Sequence, residues 1–174
     1  RSNQMLRSCG MRRRGIRIIN NGNMSEIVQL NSKMKLSEHF TLGELTKSGS
    51  HPEVYNIPSH EAIANLTNLS KWLEVLRERA GTPIIINSGY RSPQLNRKIG
   101  GVPNSNHLTG CAVDIRVENM EQLIRYAAIL LDISNETHQD FDELLIERNK
   151  HGAIWLHFAV RPSNNRRKVS LIQA

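Results

Sequence analysis

From Ala62 the apolar positions step by four, three, four and three through Leu66, Leu69, Leu73 and Leu76. That spacing puts them on one helical face and predicts a core helix from about Ser59 to Ala80. Ser59 supplies the N-cap, and Gly81 followed by Pro83 ends the helix. Upstream, Thr41 caps a short turn that Phe40, Leu42 and Leu45 dock on the body, and the Ser-, Gly- and Pro-bearing stretch 47–58 is a loop. Pro83-Ile-Ile-Ile86 is a β-branched run that predicts a buried strand. Ser92, with Pro93 behind it, opens a short helix reaching about Ile99 and stopped by Gly100-Gly101. Cys111 to Val117 reads as a second strand. Asn119 and Gln122 pair at the start of an amphipathic helix to about Leu131, with Leu123, Ala127, Leu130 and Leu131 inward. Glu143–Glu147 and Ala153–Val160 are two further strands, joined as a hairpin around 148–152. Few helices and several short strands make an α+β domain.

Between Ser88 and Asp114 this patterning fails. The stretch reads SGYRSPQLNRKIGGVPNSNHLTGCAVD, and its polar residues follow no amphipathic period. An Arg, a His and an Asp sit among Gly, Ser, Asn and Pro, which suits the wall of a site better than a packing element.

Charge sharpens the domain boundaries. The chain has 174 residues and a net charge of +7, of which residues 1–33 carry six, leaving one for everything after them. The basic character therefore belongs to an N-terminal extension, read as mostly unstructured with a short strand near Ile16–Ile19, and not to the folded body. A specific nucleic-acid partner is not expected on that ground. A single domain over 34–162 follows, then a polar, basic C-terminal tail over 163–174 with Arg166, Arg167 and Lys168. No apolar run approaches the length of a membrane span. Cys9 lies in the extension, so a disulfide with Cys111 is not expected, and Cys111 reads as a small buried residue.

The candidate chemistry lies where polar residues interrupt strands. Alternation puts Ala112, Asp114 and Arg116 on one face and Val113 and Ile115 on the other. It puts Trp155, His157 and Ala159 opposite Ile154, Leu156, Phe158 and Val160. A carboxylate inside such a strand is costly unless paired or bound to a metal. His107 sits on the loop feeding the Asp114 strand, so His107, Asp114 and His157 converge if the two strands pair. Two imidazoles and one carboxylate with a vacant fourth position suit catalytic Zn²⁺. Such a site needs a general base, for which Glu147 and His151 are available, and a cation, for which Arg91 is available. The plain alternative stands beside this one. Each His taken singly is an ordinary surface or core residue, and Asp114 can pair with Arg116. His39, His51, His60 and His138 read as loop or helix-surface residues.

Taken together, Ser88-Gly-Tyr-Arg-Ser92, Asn96, Gly100-Gly101, Ser105-Asn-His-Leu-Thr-Gly-Cys-Ala-Val-Asp114 and Trp155-Leu-His157 resemble the zinc D-alanyl-D-alanine carboxypeptidase family. The closest likeness is to its bacterial and phage branch, over roughly residues 36–160. The resemblance implies the hedgehog/DD-peptidase fold, with helices packed on a small antiparallel sheet, and one zinc ion on His107, Asp114 and His157. It implies that Arg91, Ser105 and Tyr90 bind substrate, Arg91 also polarising it, and that substrates are peptidoglycan peptides containing D-amino acids. Members trim the terminal D-Ala or cut within the peptide as lysins, acting on the cell wall, and a monomer is expected. The family base is a Glu or His before the last zinc ligand. Three residues before His157 stands Ile154, which cannot serve, so Glu147, in Phe-Asp-Glu-Leu-Leu-Ile-Glu147, is favoured with His151 as its rival. A zinc-containing wall-binding domain without catalysis is the alternative reading.

Overall fold

A computed structural model describes residues 32–173 of the chain. The strand expected near Ile16–Ile19 lies outside them. Helices α1 (Leu42–Leu45), α2 (His60–Ala80), α3 (Pro93–Lys98) and α4 (Met120–Thr137) accompany five strands. These are β1 (Ile86–Ser88), β2 (Ala112–Arg116), β3 (Glu143–Arg148), β4 (Ile154–Ala159) and β5 (Lys168–Gln173). They form one sheet in the order β1-β2-β4-β3-β5. Among the described residues, no helix is long and apolar enough to cross a membrane.

The helix caps act as their residue types dictate. The Ser59, Ser92 and Asn119 side chains accept from backbone N–H groups in the first turns of α2, α3 and α4. Gly81 closes α2 in the left-handed region at φ 67°. The apolar stripe of α2, with Leu66, Leu69, Leu73 and Leu76, is fully buried. It meets Leu123, Tyr126 and Leu130 of α4 and the sheet face carrying Val113, Ile115, Leu144, Leu156 and Phe158. Phe158 lies at the centre of this core, its ring 5.4 Å from that of Trp72 and 5.8 Å from that of Phe141. Cys111 is buried, as expected. The helices thus cover one face of the sheet, and the alternating residues of β2, β4 and β3 point to the other.

Four expectations are corrected. The sheet is mixed, because β5 runs parallel to β3 with Glu143 opposite Lys168 and Arg148 opposite Gln173. The expected basic tail is that strand, anchored where the Arg167 and Lys168 N–H groups donate to the Phe141 and Asp142 carbonyls. Its charges conceal a Val169/Leu171 alternation. Helix α4 runs six residues past Leu131, because Ile133 and Ser134 are still buried and the Ser134 hydroxyl donates to the Gln139 carbonyl. The strand placed at 83–86 begins at Ile86, after a proline that has no N–H to give to the ladder and an exposed Ile85.

Candidate metal centre

Strand pairing brings the interrupting residues together. Asp114 and His157 are direct cross-strand partners in the antiparallel β2–β4 pair. His107 comes from a 3-10 helix, Asn106–Thr109, that leads into β2. The Ser105 hydroxyl caps this helix by accepting from the His107 N–H at 3.3 Å. Gly110 closes it at φ 72°, where a Cβ would stand 2.5 Å from the Ala62 carbonyl oxygen of α2. That close approach presses the loop onto the helix and fixes where His107 projects.

His107, Asp114 and His157 are all buried, with exposures of 2%, 6% and 6%. Asp114 Oδ1 lies 3.2 Å from His107 Nε2 and 3.0 Å from His157 Nδ1, and the two nitrogens are 3.3 Å apart. Three ligands of a tetrahedral zinc at its usual bond lengths are separated by roughly 3.3 Å, so the triangle fits the ion. The remaining valences support it. His107 Nδ1 donates to the Gly89 carbonyl at 2.6 Å, which leaves the Nε2 lone pair facing the triangle. Gly89 itself is compelled, because a Cβ there would stand 2.2 Å from the Leu45 carbonyl oxygen. Asp114 Oδ2 accepts from the Arg91 guanidinium, whose Nε donates to the Ser88 hydroxyl at 2.9 Å.

The electrostatics ask for a cation. Burial pushes the Asp114 carboxyl up, but the facing His107 and His157 overcome it and hold the group well below the usual carboxylate range. Burial pushes His107 down, partly offset by Asp114. Burial also opposes charge on His157, yet the hydrogen bond to Asp114 and the facing Glu143 carboxylate win and raise it to about 9. Positive charge is therefore favoured in the middle of these groups, and either a proton or a metal ion can supply it.

Glu147 and His151 occupy different places. Glu147 is the cross-strand partner of Trp155, two residues from His157 along β4. It is half-buried, and burial raises its carboxyl above the ordinary value despite the pull of His157. His151 is exposed in the turn joining β3 to β4, where its N–H donates to the Asn149 side chain. Tyr90 packs into the core, and burial pushes its phenol up. Arg91 borders a cleft of about 240 Å³ whose lining includes Lys47, Ser48, Asn87 and Ser88.

One group at the centre escaped the sequence reading. Glu143 Oε2 is 3.5 Å from His157 Nε2 and accepts from Asn106 at 3.0 Å. Oε1 is 2.9 Å from Arg166 and 3.6 Å from Lys168. The facing His157 is the largest cause that lowers its carboxyl to about 2. The signal was available: strand alternation puts Glu143 on the face of Glu147.

Residues 38–150 match the family Peptidase M15. A stretch of 92 residues is 32% identical to the zinc D-Ala-D-Ala carboxypeptidase of Streptomyces albus G, covering 52% of this chain and 36% of that protein. The chain thus matches little more than a third of that relative's length. The family match takes in Arg91, His107, Asp114, Glu143 and Glu147 and ends before His151 and His157.

Proposed function

The chain belongs to the peptidase M15 family, and from that premise we propose a zinc-dependent peptidase acting on peptidoglycan stem peptides. The observation that carries this reading is the buried triangle of His107 Nε2, Asp114 Oδ1 and His157 Nδ1, spaced 3.0–3.3 Å apart. These residues are the metal ligands. Zinc bound there supplies a Lewis acid for the scissile carbonyl and lowers the pKa of a bound water.

The chain's own residues do the rest. Gly89 holds the His107 tautomer through its carbonyl. Arg91 holds the outer oxygen of Asp114 and presents its flank to the cleft beside Lys47, Ser48 and Asn87. Cationic and hydroxyl groups there receive an anionic part of the peptide. Glu147 is the general base. Its raised pKa suits a carboxylate that takes a proton from the attacking water at one carboxylate oxygen and returns it to the leaving amine. His151, exposed in its turn, is not used. Ser105 acts as the cap that orients His107. Tyr90 acts from the core, behind the wall that carries Arg91.

The test is hydrolysis of purified muropeptides followed by mass spectrometry, with His107→Ala as control. Release of D-Ala or of cross-bridge fragments that stops in the variant supports the reading and identifies the bond. Zinc at one equivalent with no product from wild-type protein sinks it in favour of a binding domain.

A further inference from the structure

We propose that Glu143 is a positioning residue for the metal centre, held in place by Arg166 and Lys168 of the C-terminal segment. This rests on His157 being a metal ligand. Three observations carry it. First, His157 Nε2 is buried with no hydrogen-bond partner of good geometry, and Glu143 Oε2, at 3.5 Å, faces it as an acceptor. An acceptor at Nε2 places the ring proton there and leaves the Nδ1 lone pair for the triangle, as the Gly89 carbonyl does for His107 in the opposite sense.

Second, the two oxygens of Glu143 divide their work. Oε2 faces the ligand-bearing elements: His157 on β4, and Asn106, whose side-chain amide also donates to Asp142 at 2.8 Å and is next to His107 in the chain. Oε1 faces Arg166 and Lys168 of the C-terminal segment. Third, Arg166 also grips buried Asp142, Nε to Oδ1 at 2.9 Å and Nη2 to Oδ2 at 2.6 Å, so the cation that steadies Glu143 is itself fixed. These cations stand beyond the residues that match the family.

Zinc affinity measured by competition with a chelating dye tests this on Glu143→Ala, Glu143→Gln and Arg167→Ala. Arg167 pairs with Asp140 and stacks on Phe141, away from the centre, so its variant loosens the same strand alone. The expected result is a loss of about 10–100-fold in zinc affinity for Glu143→Ala, since outer partners of metal-bound histidines are worth that much. Partial recovery is expected in Glu143→Gln, which keeps an acceptor, and wild-type affinity in Arg167→Ala. In metal-free protein at a pH where the His157 imidazole is neutral, long-range ¹H–¹⁵N spectra should find its proton on Nε2 in wild type and a mixture of tautomers in Glu143→Ala. If Glu143→Ala fails to fold, Glu143→Gln decides by the same two readouts. Unchanged affinity and tautomer in the Glu143 variants overturn the proposal and leave the zinc reading intact, as does an equal loss in Arg167→Ala. Wild-type protein that binds no zinc overturns both.

Discussion

Asp114 within β2 and Asp142 at the mouth of β3 are both buried aspartates, and their partners differ in kind. Asp142 is surrounded by Arg161 at 3.0 Å, Arg166 at 2.6 Å and the Asn106 amide at 2.8 Å. Asp114 is shared by one guanidinium and two imidazoles. Guanidinium and amide donors keep their protons at every working pH, so the Asp142 cluster has one state and acts as a staple. Imidazoles give theirs up, so the Asp114 cluster can exchange a proton for a metal ion. Burial alone does not distinguish a site from a brace; the chemistry of the partners does.

Substitutions should separate the two clusters, beginning with the largest effect. His107→Ala and Asp114→Asn are expected to reduce zinc binding and muropeptide hydrolysis below detection, read by metal content after dialysis and by product release. Glu147→Gln is expected to lower kcat by about 10²–10⁴-fold with zinc affinity retained. Because burial raises this carboxyl, wild-type activity should fall as pH drops through a value above that of an ordinary Glu, and the variant should lack that limb. A profile unchanged in Glu147→Gln removes it as the base.

Asp142→Asn should cost about 3 kcal/mol of stability, the lower end for breaking a buried pair, since its arginines are partly solvated. Catalysis should suffer far less. Burial opposes its charge, but Arg166 and Asn106 prevail and lower its carboxyl. Its stabilisation is therefore complete above the unfolded Asp value near 3.9 and is lost as pH falls toward the folded value. Urea midpoints between about pH 5 and pH 2.5 should fall more steeply in wild type than in Asp142→Asn. His151→Ala should show the smallest effect, turnover within about twofold, because the side chain stands exposed in a turn.

Where local signals agreed, the fold was legible. The α2 stripe, its caps, the β3–β4 hairpin and the buried Cys111 all follow from period and punctuation. So did the convergence of His107, Asp114 and His157, since alternation and antiparallel pairing leave a cross-strand Asp and His little choice. What escaped depends on long-range partners. Arg166 and Lys168 read as a solvated tail because their acids, Asp142 and Glu143, lie more than twenty residues upstream. Tyr90, quoted within a site motif, faces the core because β1 turns there and its N–H donates to the Leu45 carbonyl. Glu143 was passed over in favour of Glu147 on the same strand face: the register pairs His157 with Leu145, two residues from each, and only the side-chain placement shows that Glu143 is the one against His157 Nε2.

The most direct test is stepwise return of zinc to chelator-stripped protein while product release from peptidoglycan is followed. Activity is predicted to rise in proportion to added zinc, to level off at one equivalent, and to stay absent in His107→Ala. Hydrolysis that survives complete metal removal, or that persists in His107→Ala, contradicts the account.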